Sequence, residues 1–312
     1  MNDYYSTFLN AIRTAGSTRL ERRTDLKTGA EAVYADGKPV AVAGDAVVNA
    51  DIIERITAKP HLVMFGCGHV GKALYDLAVL QNMDVTVLDP REGLLTQERF
   101  PAAERICGRY EDLLTRDFPG FIAPYYCIFT HGHTYDSDCL YYALTHPHSY
   151  IGMIGSRAKI ALCFDNMREK GITDTMLARV HSPIGLSINA ITPQEIAISI
   201  MAQIISVFRT DKEAVVVDAS LLARAAEETG IMVRVVEKSG SAPQRVGAML
   251  FVTEKDLCGT VGGGAIENHA IETARSMLRD DRDFLVEHHE LQGPQPLGMT
   301  CGGGTTLLYR RT

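Results

Sequence analysis

Apolar positions along the chain fall in short runs broken by turn residues, and strand-like and helix-like spacings alternate through its middle. Leu62 to Phe65 is a continuous apolar run of strand length, and Lys72 to Leu80 continues with helical periodicity. Between them stands Gly66-Cys67-Gly68-His69-Val70-Gly71, and a second apolar run, Val85 to Leu88, ends in Asp89. Strand, glycine turn, helix, strand and acid in that order are the context in which a G-x-G-x-x-G spacing carries meaning. Gly66 permits the tight turn, Gly68 lets backbone approach a phosphate, and Gly71 lets helix and strand pack closely. The helix start, with Cys67 and His69 in its turn, offers unpaired N–H groups and a positive dipole end to an anion. Asp89 stands about 20 positions on, where an acid that binds a ribose hydroxyl is expected.

Two more runs, Tyr126 to Thr130 and Tyr150 to Gly155, predict further strands of the same sheet. Polar clusters follow the predicted strand ends: Asp89 with Arg91, then His131, His133 and Asp136, then Ser156 and Arg157 after Gly155. Ligands of open α/β sheets sit outside the carboxyl ends of the strands, so these clusters point at one crevice. Thr192-Pro193-Gln194-Glu195 reads as a capping box with proline at the first helical position. The helix it starts, Ile196 to Phe208, is apolar nearly all round and is expected to be buried.

The flanks differ in pattern. In residues 1–57, Tyr4 to Thr14 reads as an amphipathic helix. Glu31 to Ala35 and Val40 to Ala43 read as a hairpin about Asp36-Gly37-Lys38-Pro39. This accessory segment carries no evident chemistry. Residues 58–209 hold the doubly wound unit, and Arg209 to Glu213 is a charged connection. In residues 214–312 a helix, Asp218 to Thr229, precedes strands at Ile231 to Val236 and Met249 to Thr253. Gly262-Gly263-Gly264 with Glu267 opens a helix reaching about Leu278. Cys301-Gly302-Gly303-Gly304 precedes a last strand, Thr305 to Tyr309. The fold class is therefore α/β, a Rossmann-like doubly wound parallel sheet plus a smaller glycine-rich α+β domain.

Charge and cysteine content narrow the classes. A net charge of −7 argues against a general nucleic-acid binder. No apolar run approaches the roughly 18 residues of a membrane span, and the N-terminus has no signal-peptide pattern. Seven cysteines at irregular spacing suggest no disulfide framework, so a cytoplasmic protein with reduced thiols is expected.

Several candidate residues have two readings. His131, His133, Asp136 and Asp138 suit zinc or iron, or cap the following helix and bond its loop. Arg157 and Lys159 hold a phosphate or are solvated helix residues. Cys67 gains reactivity from a helix N-terminus, or is a small residue that fits. The glycine triplets allow close backbone approach to a ligand, or only make turns. Cys301, between flexible residues, is a candidate metal ligand or sulfur carrier. The spacing contains no nucleophile–base pair of the kind covalent catalysis needs.

These residues together resemble the xanthine dehydrogenase accessory proteins, the XdhC/CoxI family, over about residues 58–312. The matching parts are Gly66-Cys-Gly-His-Val70, Asp89-Pro-Arg91, Glu98-Arg-Phe-Pro101, Thr130-His131, Tyr150 to Arg157, Ser182-Pro-Ile-Gly-Leu186 and Thr192 to Ala197. Gly240-Ser-Ala-Pro243, Gly259 to Gly264 with Glu267, and Cys301-Gly-Gly303 continue the match. The commonest arrangement in that family puts the glycine-rich domain first; here the order is reversed.

The resemblance implies a maturation factor, not itself an enzyme, that binds molybdenum cofactor (molybdopterin). It would support the cofactor's sulfuration and insertion into a xanthine dehydrogenase-type molybdenum hydroxylase. The expected partners are that hydroxylase and a cysteine desulfurase, the expected assembly a homodimer, with no nucleic acid and no membrane. Gly66, Cys67, Gly68, His69, Gly71, Asp89, Arg91, His131, Gly155, Ser156, Arg157, Gly262, Gly263, Gly264, Glu267, Cys301 and Gly302 are the expected cofactor-binding set, with Cys301 as metal ligand. Two alternatives stand beside it. One is an NAD-dependent oxidoreductase, which Asp89 and the glycine turn suit, with NAD or another nucleotide bound. The other is a nucleotide-binding regulatory or scaffold protein.

Overall fold

A computed structural model describes residues 3–15, 20–45, 47, 49–118, 121, 123–240, 245–290 and 303–312. They fall into two units, residues 60–212 and residues 1–59 with 213–312.

The chain opens with helix α1, Asp3–Ala15, whose apolar stripe buries Tyr4, Tyr5, Phe8, Leu9 and Ile12. Strands β1 (Leu20–Thr24), β2 (Glu31–Ala35), β3 (Lys38–Ala43) and β4 (Ile52–Ala58) follow, with β1 paired antiparallel between β2 and β4. The expected hairpin is β2–β3, turned on Asp36-Gly37 with φ of 47° and 78°. Positive φ at both turn residues matches the right-handed strand twist. The alternation of β1 is unusual: Leu20, Arg22 and Thr24 are the buried residues.

Residues 60–212 build a sheet of six parallel strands. In chain order the elements are β5 (His61–Phe65), α2 (His69–Leu80), β6 (Asp84–Asp89), β7 (Glu104–Cys107), α3 (Tyr110–Leu113) and β8 (Pro124–Ile128). Then come α4 (Asp136–Thr145), β9 (Tyr150–Met153), α5 (Arg157–Glu169), α6 (Asp174–Leu177), β10 (Val180–His181) and α7 (Pro193–Phe208). The spatial order is β10-β9-β8-β5-β6-β7, which is the doubly wound Rossmann order with its reversal between β5 and β8. One face packs α2 and α7 around Leu62, Met64, Leu74, Ala78 and Ile200. The other packs Val63, Phe65, Ile128, Leu140 and Met167. Strand β8 stops two residues before the predicted end because Thr130 donates its N–H and its hydroxyl to Asp136 Oδ1, at 3.1 and 2.6 Å.

Helix α7 carries the predicted capping box: the Thr192 hydroxyl accepts from Glu195 N, and the Glu195 carboxylate accepts from Thr192 N. The expectation of all-round burial is corrected. Ala197, Ile200, Met201 and Ile204 are buried, but Ile198 is 52% exposed. A helix laid on one sheet face beside α2 buries one stripe only, whatever its composition.

The second unit continues with β11 (Val215–Val217), parallel to β4, and α8 (Ala219–Glu227), capped by the Asp218 carboxylate. Next come β12 (Ile231–Gly240), β13 (Met249–Val252), β14 (Leu257–Gly259), α9 (Gly264–Arg279), β15 (Phe284–Glu290) and β16 (Gly303–Arg311). They form an antiparallel sheet in the order β14-β13-β12-β16-β15. From β12, Ile231, Val233 and Val235 pack with Ala270, Ala274 and Met277 of α9. The alternate residue Arg234 points the other way, to Glu31 of β2 and Glu54 of β4.

Candidate functional site

The reversal between β5 and β8 puts the glycine turn at the mouth of the sheet. Gly66 has φ of 121°, and a Cβ there would lie 2.3 Å from Phe129 O. At Gly71 a Cβ would lie 2.6 Å from Gly66 O. These two glycines therefore hold the turn against β8 and the helix against the turn. Gly68 differs: a Cβ there meets nothing within 4 Å, and no side chain caps α2. The first N–H groups of a helix have no partner inside it, so an uncapped start facing open space is an anion site in waiting. His69, the first residue of α2, is exposed.

Asp89, at the end of β6, is fully engaged. Its Oδ2 accepts from Cys67 N at 2.8 Å and Arg91 Nη2 at 2.7 Å, and its Oδ1 accepts from Arg91 N and Nε at 2.9 and 2.8 Å. Burial pushes this carboxyl up, but Arg91 and the Cys67 N–H more than offset that and hold it below the usual carboxylate range. Each oxygen has two donors, so no strong acceptor is left over for a ribose hydroxyl. Asp89 shapes the turn, and Arg91 is the half-buried edge of that arrangement.

Burial, reinforced by the same carboxylate, decides the state of Cys67. Burial and the adjacent Asp89 push the thiol up to about 12, so it stays protonated at neutral pH and the reactive reading is not carried by its surroundings. Cys107, by contrast, is exposed. Brief alkylation of the folded protein with iodoacetamide at pH 7.5 should label Cys107 and leave Cys67 unmodified in peptide mass spectra. Comparable labelling of both would refute a protonated, shielded Cys67.

Beside the turn, Arg99 donates to Cys67 O at 3.1 Å and Leu94 O at 2.6 Å. With His69, Lys72, Asp76 and Gln194 it lines a cleft of about 340 Å³ between α2 and α7. Lys72 is paired to Asp76 at 2.6 Å. Spacing alone passes over Arg99, Lys72 and Gln194, because they come from a loop, the outer face of α2 and a helix more than ninety positions on. Only the Glu98-Arg99-Phe100-Pro101 motif hinted at the first.

At the end of β8, His131 is exposed, and Asp136 is buried against Thr130. Asp138 pairs with Lys170 at 3.2 Å. Among the described residues His131, Asp136 and Asp138 do not come together as a metal-binding group; the capping reading is the one the hydrogen bonds carry. A second cleft, about 230 Å³, is lined by Gly132, Asp136, Ser137, Lys159 and Cys163. Past β9, Gly155 is half-buried and Ser156 caps α5 by accepting from Lys159 N. Arg157 stands exposed. Phe129, just past β8, closes on the glycine turn, whereas Gly132 and Asp136 after β8 line the second cleft together with Met153 at the β9 end.

In the other unit, Gly262, Gly263 and Gly264 all have positive φ. Glu267 holds this loop: its Oε2 accepts from the Thr260 hydroxyl, from Val261 N at 3.0 Å and from Gly263 N at 3.2 Å. The triplet therefore presents backbone at the start of α9 with Glu267 turned toward it. Cys301 and Gly302, expected as cofactor and metal ligands, lie outside the described residues.

Family models match both regions. The XdhC Rossmann domain matches residues 62–204, and the XdhC and CoxI family model matches residues 223–289, together more than half of the chain. The chain is 34% identical over 155 residues to the uncharacterized protein YqeB of Escherichia coli (strain K12), covering 48% of this chain and 27% of that protein. It is 29% identical over 153 residues to a protein of Bacillus subtilis (strain 168) named as a probable subunit of xanthine dehydrogenase, covering 49% of this chain and 44% of the relative. It is 31% identical over 105 residues to the molybdenum cofactor insertion chaperone PaoD of Escherichia coli (strain K12), covering 33% of each. The matched regions span less than half the length of each of these relatives.

Proposed function

The chain belongs to the XdhC and CoxI family, and from that premise we propose that it binds molybdenum cofactor as cargo and hands it to a xanthine dehydrogenase-type molybdenum hydroxylase. One relative is named as a molybdenum cofactor insertion chaperone and another as a probable part of a xanthine dehydrogenase, which supports the reading. The observation that carries it is the uncapped start of α2 at Gly68, where nothing obstructs a phosphate from reaching backbone N–H groups.

The pterin phosphate is the part of the cargo this turn fits. The N–H groups after Gly68 receive it, and Arg99, which donates to the Cys67 carbonyl, brings a positive charge beside the turn. Sulfuration of the cofactor, with a cysteine desulfurase as sulfur source, belongs to the same proposal. So does assembly as a homodimer. A soft sulfur ligand for molybdenum is a role for Cys301. Cys67, protonated and buried, is unsuited to it. Hydride transfer with NAD gains no support from the turn, since both Asp89 oxygens are already taken.

Gly68→Val tests the phosphate end directly. A side chain there has room, so the thermal midpoint should stay within a few degrees of wild type, equivalent to under roughly 1 kcal/mol. The valine would stand in front of the helix start and lower cofactor retention at least about tenfold, since 1.4 kcal/mol of lost anion binding suffices for that. The measurement is pterin fluorescence and molybdenum content of protein purified after co-expression with an active cofactor pathway. Equal pterin and molybdenum in wild type and variant would remove the glycine turn from the reading.

A further inference from the structure

Away from the glycine turn, three metal-ligating side chains converge at the edge of the antiparallel sheet. Strand alternation puts Leu285, Glu287 and His289 on one face of β15, and Leu285 packs on the core that α9 covers. Glu287 and His289 therefore continue that row toward α9, from which His269 projects. His269 Nε2 lies 3.3 Å and His289 Nε2 3.5 Å from the same oxygen, Glu287 Oε2. The two imidazoles stand edge to face with centroids 5.0 Å apart, and the three donor atoms all lie within 4.8 Å of one another.

The donor set is chemically specific. Two imidazoles and a carboxylate suit zinc and its neighbours among divalent transition ions, whereas magnesium and calcium prefer all-oxygen sites. Ligands about 2.0–2.1 Å from a tetrahedral ion stand roughly 3.3 Å apart, which is the spacing of both imidazoles from Glu287 Oε2. His289 adds a second observation: its Nε2 is shut off from solvent, and its contact with Glu287 Oε2 at 3.5 Å is too long to be a good hydrogen bond. A buried imidazole nitrogen so poorly bonded is costly, and a metal ion held between the imidazole and the carboxylate satisfies both. The His269 side chain, 38% exposed, leaves an approach from solvent.

We infer that His269, Glu287 and His289 form a binding site for a divalent transition ion of the zinc class, with three protein ligands and a fourth position open to water or an anion. Three ligands with an open position is the pattern of sites where the ion can polarise a bound group, in contrast to closed four-ligand structural sites. The inference rests on these residues alone and does not depend on the cofactor-binding reading of the glycine turn. Neighbouring His288 is not part of it: its Nδ1 is 3.0 Å from the Thr306 hydroxyl, on the alternate face of the strand.

Calorimetric titration of the full-length, chelator-stripped, thiol-reduced protein with zinc sulfate tests the site, with cobalt(II) as a spectroscopic stand-in. Wild type should bind one zinc per chain at micromolar concentration or tighter, and cobalt should show the visible absorption of an imidazole-bound four-coordinate ion. His289→Gln and the near-isosteric Glu287→Gln should each weaken zinc binding at least about 100-fold, the top of the range seen when only a supporting residue is lost. His288→Gln should bind as wild type does, and far-UV circular dichroism should match across all folded variants. If His289→Gln does not fold, Glu287→Gln decides alone. Absence of zinc binding in wild type, or wild-type affinity in Glu287→Gln, overturns the assignment and places any bound zinc on other side chains.

Discussion

Gly66→Ala should destabilise the six-stranded unit by roughly 3–5 kcal/mol, the range reserved for changes with a named steric cause. Two independent costs add at this position. The backbone sits at φ of 121°, outside the regions an L-residue adopts readily. A Cβ there would also stand 2.3 Å from the Phe129 carbonyl oxygen, and backbone cannot swing aside as a flexible side chain does. Phe129 N is bonded to Phe65 O at 3.0 Å, so relief would come only by parting β5 from β8. Urea unfolding at pH 7, followed by circular dichroism, gives the free energy, with Gly68→Val as the neighbouring substitution that should lose little. Equal midpoints for Gly66→Ala and wild type would mean that the turn can rearrange and that its tightness does not define the site.

Arg234→Met should cost the other unit about 3–5 kcal/mol, the loss expected when one partner leaves a buried charge group. Arg234, 2% exposed, bonds Glu31, Glu54 and the Thr24 hydroxyl. Arg22 bonds Glu54 at 2.9 Å and Arg310 bonds Glu31 at 3.0 Å. Removing Arg234 leaves two carboxylates in an apolar interior with fewer cations. The group also sets an acid limit. Burial pushes the Glu31 carboxyl up, but Arg234, Arg310 and Arg22 outweigh it and bring it down to about 2. A carboxyl whose folded value lies below its unfolded value adds stability that is complete above the unfolded value, about 4.3, and fades as pH falls toward 2. Wild type should therefore lose stability steeply between about pH 4.5 and 2, and Arg234→Met, already weakened, should lose less over that interval. Guanidinium unfolding of both at pH 7, 4.5 and 3 measures this, and parallel pH slopes would show that Glu31 and Arg234 are not coupled.

The strand β5, the glycine turn, α2 and β6 were legible because each declares itself locally: an apolar run, permissive glycines, a helical period, a terminal acid. The capping box of α7 was legible for the same reason, since its bonds lie within four residues. Strands β1 and β4 were not. Their inward positions include Arg22 and Glu54, charged residues that no apolar pattern marks as buried and that neutralise each other in the interior. The burial of α7 was over-read, because composition reports how apolar a helix is and not how many neighbours surround it. Arg99, Lys72 and Gln194 share a cleft although they are scattered along the chain, and no local pattern encodes that proximity.

The sequence by itself determined the α/β class, the glycine turn with its uncapped helix start, and the family resemblance, because these depend on residues near one another along the chain. Tertiary structure alone decided what the notable side chains are occupied with. Asp89 takes the Cys67 N–H from a turn on the neighbouring strand, and His269 meets Glu287 across a helix–strand contact. A side chain's role follows from which partners come into contact with it, and for partners eighteen or more residues away that contact exists only once the sheets have formed.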